Sequence, residues 1–382
     1  MAKVNVGVIG LGFIGPAHME ALRRTGIVNV AAFSDNNPEV AKKSADQLGV
    51  EKYYTDYKEL LADPGIQAVH VCTPNFLHYG MVKDALLAKK HVICEKPLAT
   101  TAKEAAELVE LAEKQGVANA VNFNLRFYPL VRQAKTLIEN GSVGRIYAIH
   151  GSYLQDWLYY ETDYNWRLEP KMSGESRAIA DIGSHWMDMI EHVSGLRITE
   201  VFADFSTVHP KRKKPAKPVE TYSGKILKPE DYVDIEIKTE DFATVLFKFE
   251  TGARGVLTVS QVSAGRKNRL YFEIDGAKQA LAFDSEKPNE LWVGHRDKAN
   301  ETLLKDPSLL TPEARALASY PGGHNEGFPD TFKQMYKEYY GRILEGRPGK
   351  DVTYATFKDG LRELDLCDRI LESSKKSAWV KI

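Results

Sequence analysis

Asp181, His185 and Asp188 fall at spacings of four and three residues in the run Asp181-Ile182-Gly183-Ser184-His185-Trp186-Met187-Asp188. On a helix all three share one face. Imidazole titrates near neutrality and a neighbouring carboxylate can fix its tautomer, so this group is suited to moving a proton on or off a hydroxyl. An amphipathic helix with a histidine satisfied in its core carries the same pattern. The run therefore needs support from the rest of the chain.

That support starts at the other end. Val4–Ile9 reads as a short, apolar, β-branched strand of the kind buried in a parallel sheet. It enters Gly10-Leu11-Gly12-Phe13-Ile14-Gly15, a G-x-G-x-x-G, with a helix predicted from Pro16 to about Thr25. Gly10 permits the tight turn, Gly12 lets a pyrophosphate approach the backbone, and Gly15 lets helix and strand pack closely. The helix amides would face the phosphates. A second strand, Asn29 to Ser34, ends in Asp35, twenty positions past Gly15. A carboxylate there accepts both ribose hydroxyls of NAD and repels the 2′-phosphate of NADP.

Strands and helices continue to alternate. Asp56 with Glu59, and Thr101 with Glu104, are helix-capping signals. Strands are predicted at Ala68–Thr73, His91–Cys94 and Val117–Phe123, giving a doubly wound parallel sheet. Ligands of such sheets sit beyond the carboxyl ends of the strands, where Thr73, Asn75, Glu95 and Lys96 lie. That topology sets Lys96 beside the nicotinamide.

In chain order, Gly-Leu-Gly-Phe-Ile-Gly, Thr73-Pro74-Asn75, Glu95-Lys96-Pro97, Asn124-x-Arg126-Phe127-x-Pro129 and Asp181-x-Gly183-x-His185-x-x-Asp188 together resemble one family. It is the glucose–fructose oxidoreductase, inositol dehydrogenase and rhizopine-catabolism family of two-domain, NAD(P)-dependent oxidoreductases acting on sugars and polyols. The resemblance implies Lys96, Asp181 and His185 as the catalytic set. Gln155-Asp156-Trp157-Leu158, Asn165-Trp166-Arg167 and Pro321-Gly322-Gly323-His324 resemble a subgroup acting on glucosides, disaccharides or anhydrosugars. The segment Ser173–Ala178 departs from the glycine-rich run that often precedes the family aspartate, and Glu175 and Arg177 there could line the site.

The expected cofactor contacts are Gly10, Gly12, Phe13, Ile14, Gly15 and Asp35 at the loop, with Thr73, Pro74, Asn75 and His78 at the next turn. Glu95, Lys96, Arg126, Trp166 and Arg167 complete that set. Substrate contacts are expected from Lys96, Asp156, Trp157, Tyr164, Arg167, Asp181, His185 and His324, since aromatic faces suit the C–H faces of a pyranose. No metal is expected. His185, Asp188 and His192 share a helix face, but no H-E-x-x-H or cysteine ligand accompanies them.

After Phe123 the pattern changes to strands separated by turn signals between Val201 and Val293. The expected fold is thus an α/β Rossmann domain, 1–123, followed by an α+β domain, 124–382, with a large, mainly antiparallel open sheet. One face of that sheet would be solvated or paired in a homodimer or homotetramer. His209 to Glu230, rich in proline and lysine, reads as a solvated loop between strands.

Of 382 residues, 43% are hydrophobic and 27% charged, within the range of a soluble two-domain protein. A formal net charge of −1 gives no electrostatic reason to expect nucleic acid or an anionic membrane as partner. The three cysteines are widely spaced, and the chain enters a strand too early for a signal peptide. These features point to a cytoplasmic protein binding a carbohydrate. Two other functions remain open at this level: a hydrolase that retains NAD and cleaves glycosides by transient oxidation, and a non-catalytic sensor of NAD or sugar.

Overall fold

The computed structural model describes residues 3–216 and 231–382, so 217–230, most of the Pro/Lys-rich segment, lies outside the described residues. The chain divides into two units, Met1–Phe127 with Phe328–Leu364, and Tyr128–Gly327 with Asp365–Ile382.

In the first unit, β1 (Val4–Ile9), β2 (Val28–Ser34), β3 (Lys52–Tyr54), β4 (Ala68–Val71), β5 (His91–Cys94) and β6 (Asn119–Val121) form one sheet. Its order is β3-β2-β1-β4-β5-β6 and every pair is parallel. The helices between the strands are α1 (Ile14–Thr25), α2 (Pro38–Leu48), α3 (Tyr57–Ala62), α4 (Asn75–Leu87) and α5 (Ala102–Gln115). Side chains cap α3 and α5 as the sequence signals indicate: Asp56 accepts from the Lys58 amide, and Thr101 from that of Glu104. The strand order reverses between β1 and β4, and a crevice opens at such a switch point.

This unit also takes in a late part of the chain, beyond the single boundary read after Phe123. Helix α10 (Phe328–Leu344) lays Phe332 and Tyr336 against His18, and Tyr339 donates to the Ala118 carbonyl at 2.9 Å. The Val121 amide then bonds to the Ala355 carbonyl at 2.9 Å, extending the hydrogen bonding at the sheet's edge.

The second unit opens with α6 (Pro129–Glu139) and β7 (Ile146–Leu154), followed by the short α7 (Pro170–Ser173) and by α8 (Ser184–Ser194). The strands after it are β8 (Ile198–Ser206), β9 (Lys211–Pro215), β10 (Tyr232–Glu236), β11 (Phe242–Phe249), β12 (Arg254–Ser260) and β13 (Arg269–Gly276). Four more follow: β14 (Ala280–Asp284), β15 (Glu290–Gly294), β16 (Glu301–Leu304) and the terminal β17 (Val380–Lys381), with the short helix α9 (Pro312–Arg315) after β16. Helix α11 (Phe357–Lys376) crosses the boundary between the units.

Nine strands form a sheet of order β16-β15-β14-β13-β7-β12-β11-β8-β17, antiparallel except for the pair β7–β12. Alternation gives it one apolar face, including Leu270, Phe272 and Ile274, and one open face with Arg269, Tyr271 and Glu273. Trp186 of α8 anchors that helix on the apolar face: its Nε1 donates to the Tyr271 carbonyl at 2.9 Å, and its ring stacks 5.8 Å from Phe247. Gly151 permits this approach, since a Cβ there would sit 2.1 Å from that carbonyl and 2.6 Å from the indole nitrogen.

One expectation is corrected here. Lys211–Lys214 is not a solvated loop but lies in β9, paired antiparallel with β10. Within it Arg212 is 1% exposed. Its guanidinium meets the Asp241 carboxylate at 2.8 Å, and a charge so paired can stay buried inside a lysine-rich strand. Among the described residues no helix is long and apolar enough to cross a membrane.

Candidate functional site

In the first unit the glycine loop leaves β1 and turns into α1. A Cβ on Gly15 would lie 2.2 Å from the Gly10 carbonyl, whereas one on Gly12 would meet nothing within 4 Å. The close helix–strand contact and the open backbone at Gly12 fit a pyrophosphate lying on the loop. Phe13 is exposed, Ile14 begins α1, and that helix has no acidic residue in its first turn to oppose an anion. Asp35 follows β2; its carboxylate takes the Leu11 amide at 3.0 Å on one oxygen and the Asn37 amide at 3.0 Å on the other. Each carboxylate oxygen keeps a further acceptor site for ribose.

Thr73 and Pro74 lead into α4, which starts at Asn75. His78 is buried, with Nδ1 2.7 Å from the Pro97 carbonyl and Nε2 2.8 Å from that of Thr73. It ties the Thr73 turn to the turn carrying Lys96. Arg126 is buried and donates to Asp359 at 3.1 Å, which holds the late segment in this unit.

Glu95 precedes Lys96 and ends a buried polar chain that the sequence reading missed. His18 Nε2 lies 2.8 Å from Glu95 Oε1, His18 Nδ1 lies 2.8 Å from His70 Nδ1, and His70 Nε2 lies 2.7 Å from the Tyr340 hydroxyl. The Asn122 side-chain amide also donates to Glu95. Burial pushes the Glu95 carboxyl up, but the His18 hydrogen bond and charge, with Lys96, hold it below the ordinary carboxylate value. No local pattern announced this chain, because its members come from α1, β4, α10 and the residues that follow β5 and β6.

Burial and the charge on His18 hold His70 well below 6.5, and burial lowers His91 as well. Unfolded, these imidazoles take up protons below about pH 6.5; folded, they resist. Their contribution to stability is present above that pH and is lost as pH falls, by about 1.4 kcal/mol per pH unit for each proton. The Glu240 carboxyl, raised by burial, acts oppositely as a single group. Thermal melts should therefore show a transition several degrees lower at pH 5.5 than at 7.5. Equal midpoints would contradict the neutral histidines.

In the second unit Asp181 lies in a π-helical turn, Ile179–Gly183, which runs directly into α8 with His185 in its first turn. Such turns often mark functional sites. Asp181 is held from two sides: Arg167 Nε is 3.3 Å from one carboxylate oxygen, and Gln261 Nε2 donates to the other at 2.9 Å. His185 is 8% exposed, its ring 6.2 Å from that of Tyr153. Asp188, further along α8, is buried.

The aromatic-rich loop between β7 and α7 packs on a small core of Leu158, Leu168 and, from after β10, Ile237, against which Trp157 and Tyr164 lie. Trp157 donates to the Gln155 side chain at 2.8 Å, and the Tyr164 hydroxyl to Glu169. Arg167 stacks 4.5 Å from the Trp166 ring centre. Asp156 is engaged by Lys267 at 2.7 Å and by the Gly265 amide at 3.0 Å. His324 sits in a turn where Lys305, paired with Glu326 at 2.8 Å, also holds the His324 carbonyl at 2.8 Å. Glu175 and Arg177 do not behave as site-lining residues. Glu175 pairs with Lys375 on the surface at 3.0 Å, and Arg177 is buried against Asp241.

Residues 4–123 match the model of an oxidoreductase family with an NAD-binding Rossmann fold, and 131–282 match that of the GFO/IDH/MocA C-terminal domain. The levoglucosan dehydrogenase of Pseudarthrobacter phenanthrenivorans is 31% identical, covering 100% of this chain and 99% of the relative. The myo-inositol 2-dehydrogenase of Thermotoga maritima is 30% identical, with 90% of each chain covered. A solved levoglucosan dehydrogenase in complex with NADH and levoglucosan superposes with a TM-score of 0.88 at 29% identity, covering 100% of this chain and 99% of that one.

Proposed function

This chain belongs to the GFO/IDH/MocA oxidoreductase family, and from that premise we propose that it is an NAD-dependent dehydrogenase oxidising a secondary alcohol of a sugar or cyclic polyol. Levoglucosan-like anhydrosugars and glucosides are the favoured substrates. The observation that carries this is the carboxylate–imidazole pair of Asp181 and His185 at a π-to-α junction, in a chain whose other unit holds a glycine loop and Asp35 fit for NAD. Bound there, NAD supplies the hydride acceptor.

His185 takes the hydroxyl proton as general base, and Lys96 orients that hydroxyl and stabilises the negative charge developing on its oxygen. Asp181 orients these groups as an ionised partner. Asp156, Trp157, Tyr164, Arg167 and His324 are the proposed sugar contacts, with Trp166 and Arg126 on the cofactor side. Asp35 favours NAD over NADP by repelling the 2′-phosphate. The open face of the nine-stranded sheet, with Leu246 and Leu304 exposed, is the proposed surface for a homodimer or homotetramer. Three free, buried cysteines suit a cytoplasmic setting.

The test is nicotinamide absorbance with NAD, and in parallel NADP, against inositols, hexoses, glucosides, disaccharides and anhydrosugars, with glycoside products assayed together. Net NADH from one sugar class, larger with NAD than with NADP, is the expected outcome. Glycoside cleavage without net NADH would replace this reading with the NAD-retaining hydrolase. Silence with NAD bound would replace it with a sensor.

A further inference from the structure

Asp241, 0% exposed, accepts from two guanidiniums that are each 1% exposed, Arg177 and Arg212. Arg212 reaches outward to the aromatic loop, donating to the carbonyls of Leu158 at 2.9 Å and Tyr160 at 2.8 Å. Arg177 reaches the other way, donating at 2.9 Å to the side-chain oxygen of Gln261. Gln261 is itself 0% exposed, and its amide nitrogen donates to Asp181 at 2.9 Å. Its own carbonyl also receives the Leu158 amide at 3.1 Å. One residue thus grips both the loop and the carboxylate.

The chemistry of the neighbours dictates which way this amide points. Guanidinium has only donors, so the Gln261 oxygen must face Arg177. An ionised carboxylate has only acceptors, so the NH2 must face Asp181. Asparagine would be shorter by one methylene, and neither glutamate nor a hydrocarbon reproduces this donor–acceptor pair. The carboxylate of Asp181 therefore finds a neutral donor whose orientation is locked from behind by a buried ionic chain.

We propose that Gln261 is a positioning residue for the reaction: anchored by Arg177, Asp241 and Arg212, it holds Asp181 ionised and in register with the sugar-binding loop. This rests on the dehydrogenase reading above. Arg167 faces Asp181 at 3.3 Å, and behind Gln261 stand Arg177, Asp241 and Arg212, with Glu240 accepting from the Arg177 amide at 2.8 Å; His185 follows four residues on in α8.

The decisive variant is Gln261→Glu, which keeps an acceptor for Arg177 but turns a second carboxylate toward Asp181. Like charges at that distance cannot both stay ionised, so Asp181 should hold its proton to higher pH. With the best sugar of the panel, kcat at pH 7 should fall at least tenfold, NAD affinity should stay within twofold, and the acid limb of the kcat profile should move to higher pH. Gln261→Met, which removes the donor without adding charge, should lower kcat and move that limb upward by less than Gln261→Glu does. A carboxyl-carbon NMR titration of Asp181 in wild type and both variants gives a readout that needs no turnover. It should show an upward displacement in both variants, larger in Gln261→Glu than in Gln261→Met. Wild-type kcat and an unmoved Asp181 titration in Gln261→Glu would overturn the proposal. Turnover absent from the wild type would instead strike the dehydrogenase reading, and the titration would still judge Gln261. If Gln261→Glu does not fold, Gln261→Met decides: wild-type kcat there reduces Gln261 to core packing.

Discussion

His185→Ala should retain NAD and lose turnover by roughly two to four orders of magnitude, the span a positioned general base contributes. Lys96→Ala should fall in the same range, because it removes the group that orients the hydroxyl and stabilises developing charge on its oxygen. The double variant should be far less impaired than the product of the two, since residues acting as one unit give non-additive losses. Steady-state kinetics with the best sugar, and NADH fluorescence for cofactor affinity, check each statement. Near-normal turnover in either single variant removes that residue from its role. Loss of NAD binding in His185→Ala would indicate damage beyond the loss of a base.

Asp241→Asn should be the most destabilising single change in the second unit that leaves both proposed catalytic groups of that unit in place. It leaves two buried guanidiniums, Arg177 and Arg212, without the carboxylate that compensates them. Breaking a buried ion pair from one side costs about 3–5 kcal/mol. For a unit of this size that corresponds to a fall of roughly 10 °C in its melting transition. Calorimetry should show it, and a shift of only about 1–2 °C would mean that the guanidiniums find other acceptors. Removing the charges together is a different case, as buried ion networks can often be replaced by apolar residues without loss.

The first unit was largely legible in the chain because its signals are local. An apolar strand, three glycines at fixed spacing and an acidic residue after the second strand each act within a few residues of one another. β1, β2 and Asp35 stand where those signals put them, within a residue or two. β3 and β6 were harder to read: three residues each, they leave too little pattern to detect or to bound. The second unit's strands β11 to β15 were visible through alternation, whereas its parallel β7–β12 pair was not, since strand direction depends on where a distant segment docks.

The candidate site divides in the same way. Asp181 and His185 were recognisable from spacing, and their segment is helical, although one turn of it is π rather than α. The buried groups behind Asp181, and those around Glu95 in the first unit, were not recognisable. Arg212 sat inside a basic tract whose composition argued for solvent, Gln261 was an ordinary polar residue after a strand, and His18 was one histidine in an amphipathic helix. Each became informative only beside a partner 29 to 104 residues away, as Arg212–Asp241, Arg177–Gln261, Gln261–Asp181 and His18–Asn122 are at separations of 29, 84, 80 and 104.

By itself, then, the sequence determined the alternating elements, the nucleotide loop and the residues chemically able to move a proton, because those depend on side-chain type and short-range geometry. Tertiary structure alone decided which charges are buried, which amide faces which carboxylate, and that the late helix α10 completes the first unit. The physical reason is that burial and hydrogen-bond partnership are set by whatever distant segment excludes water from a group. Composition and spacing carry no record of that segment.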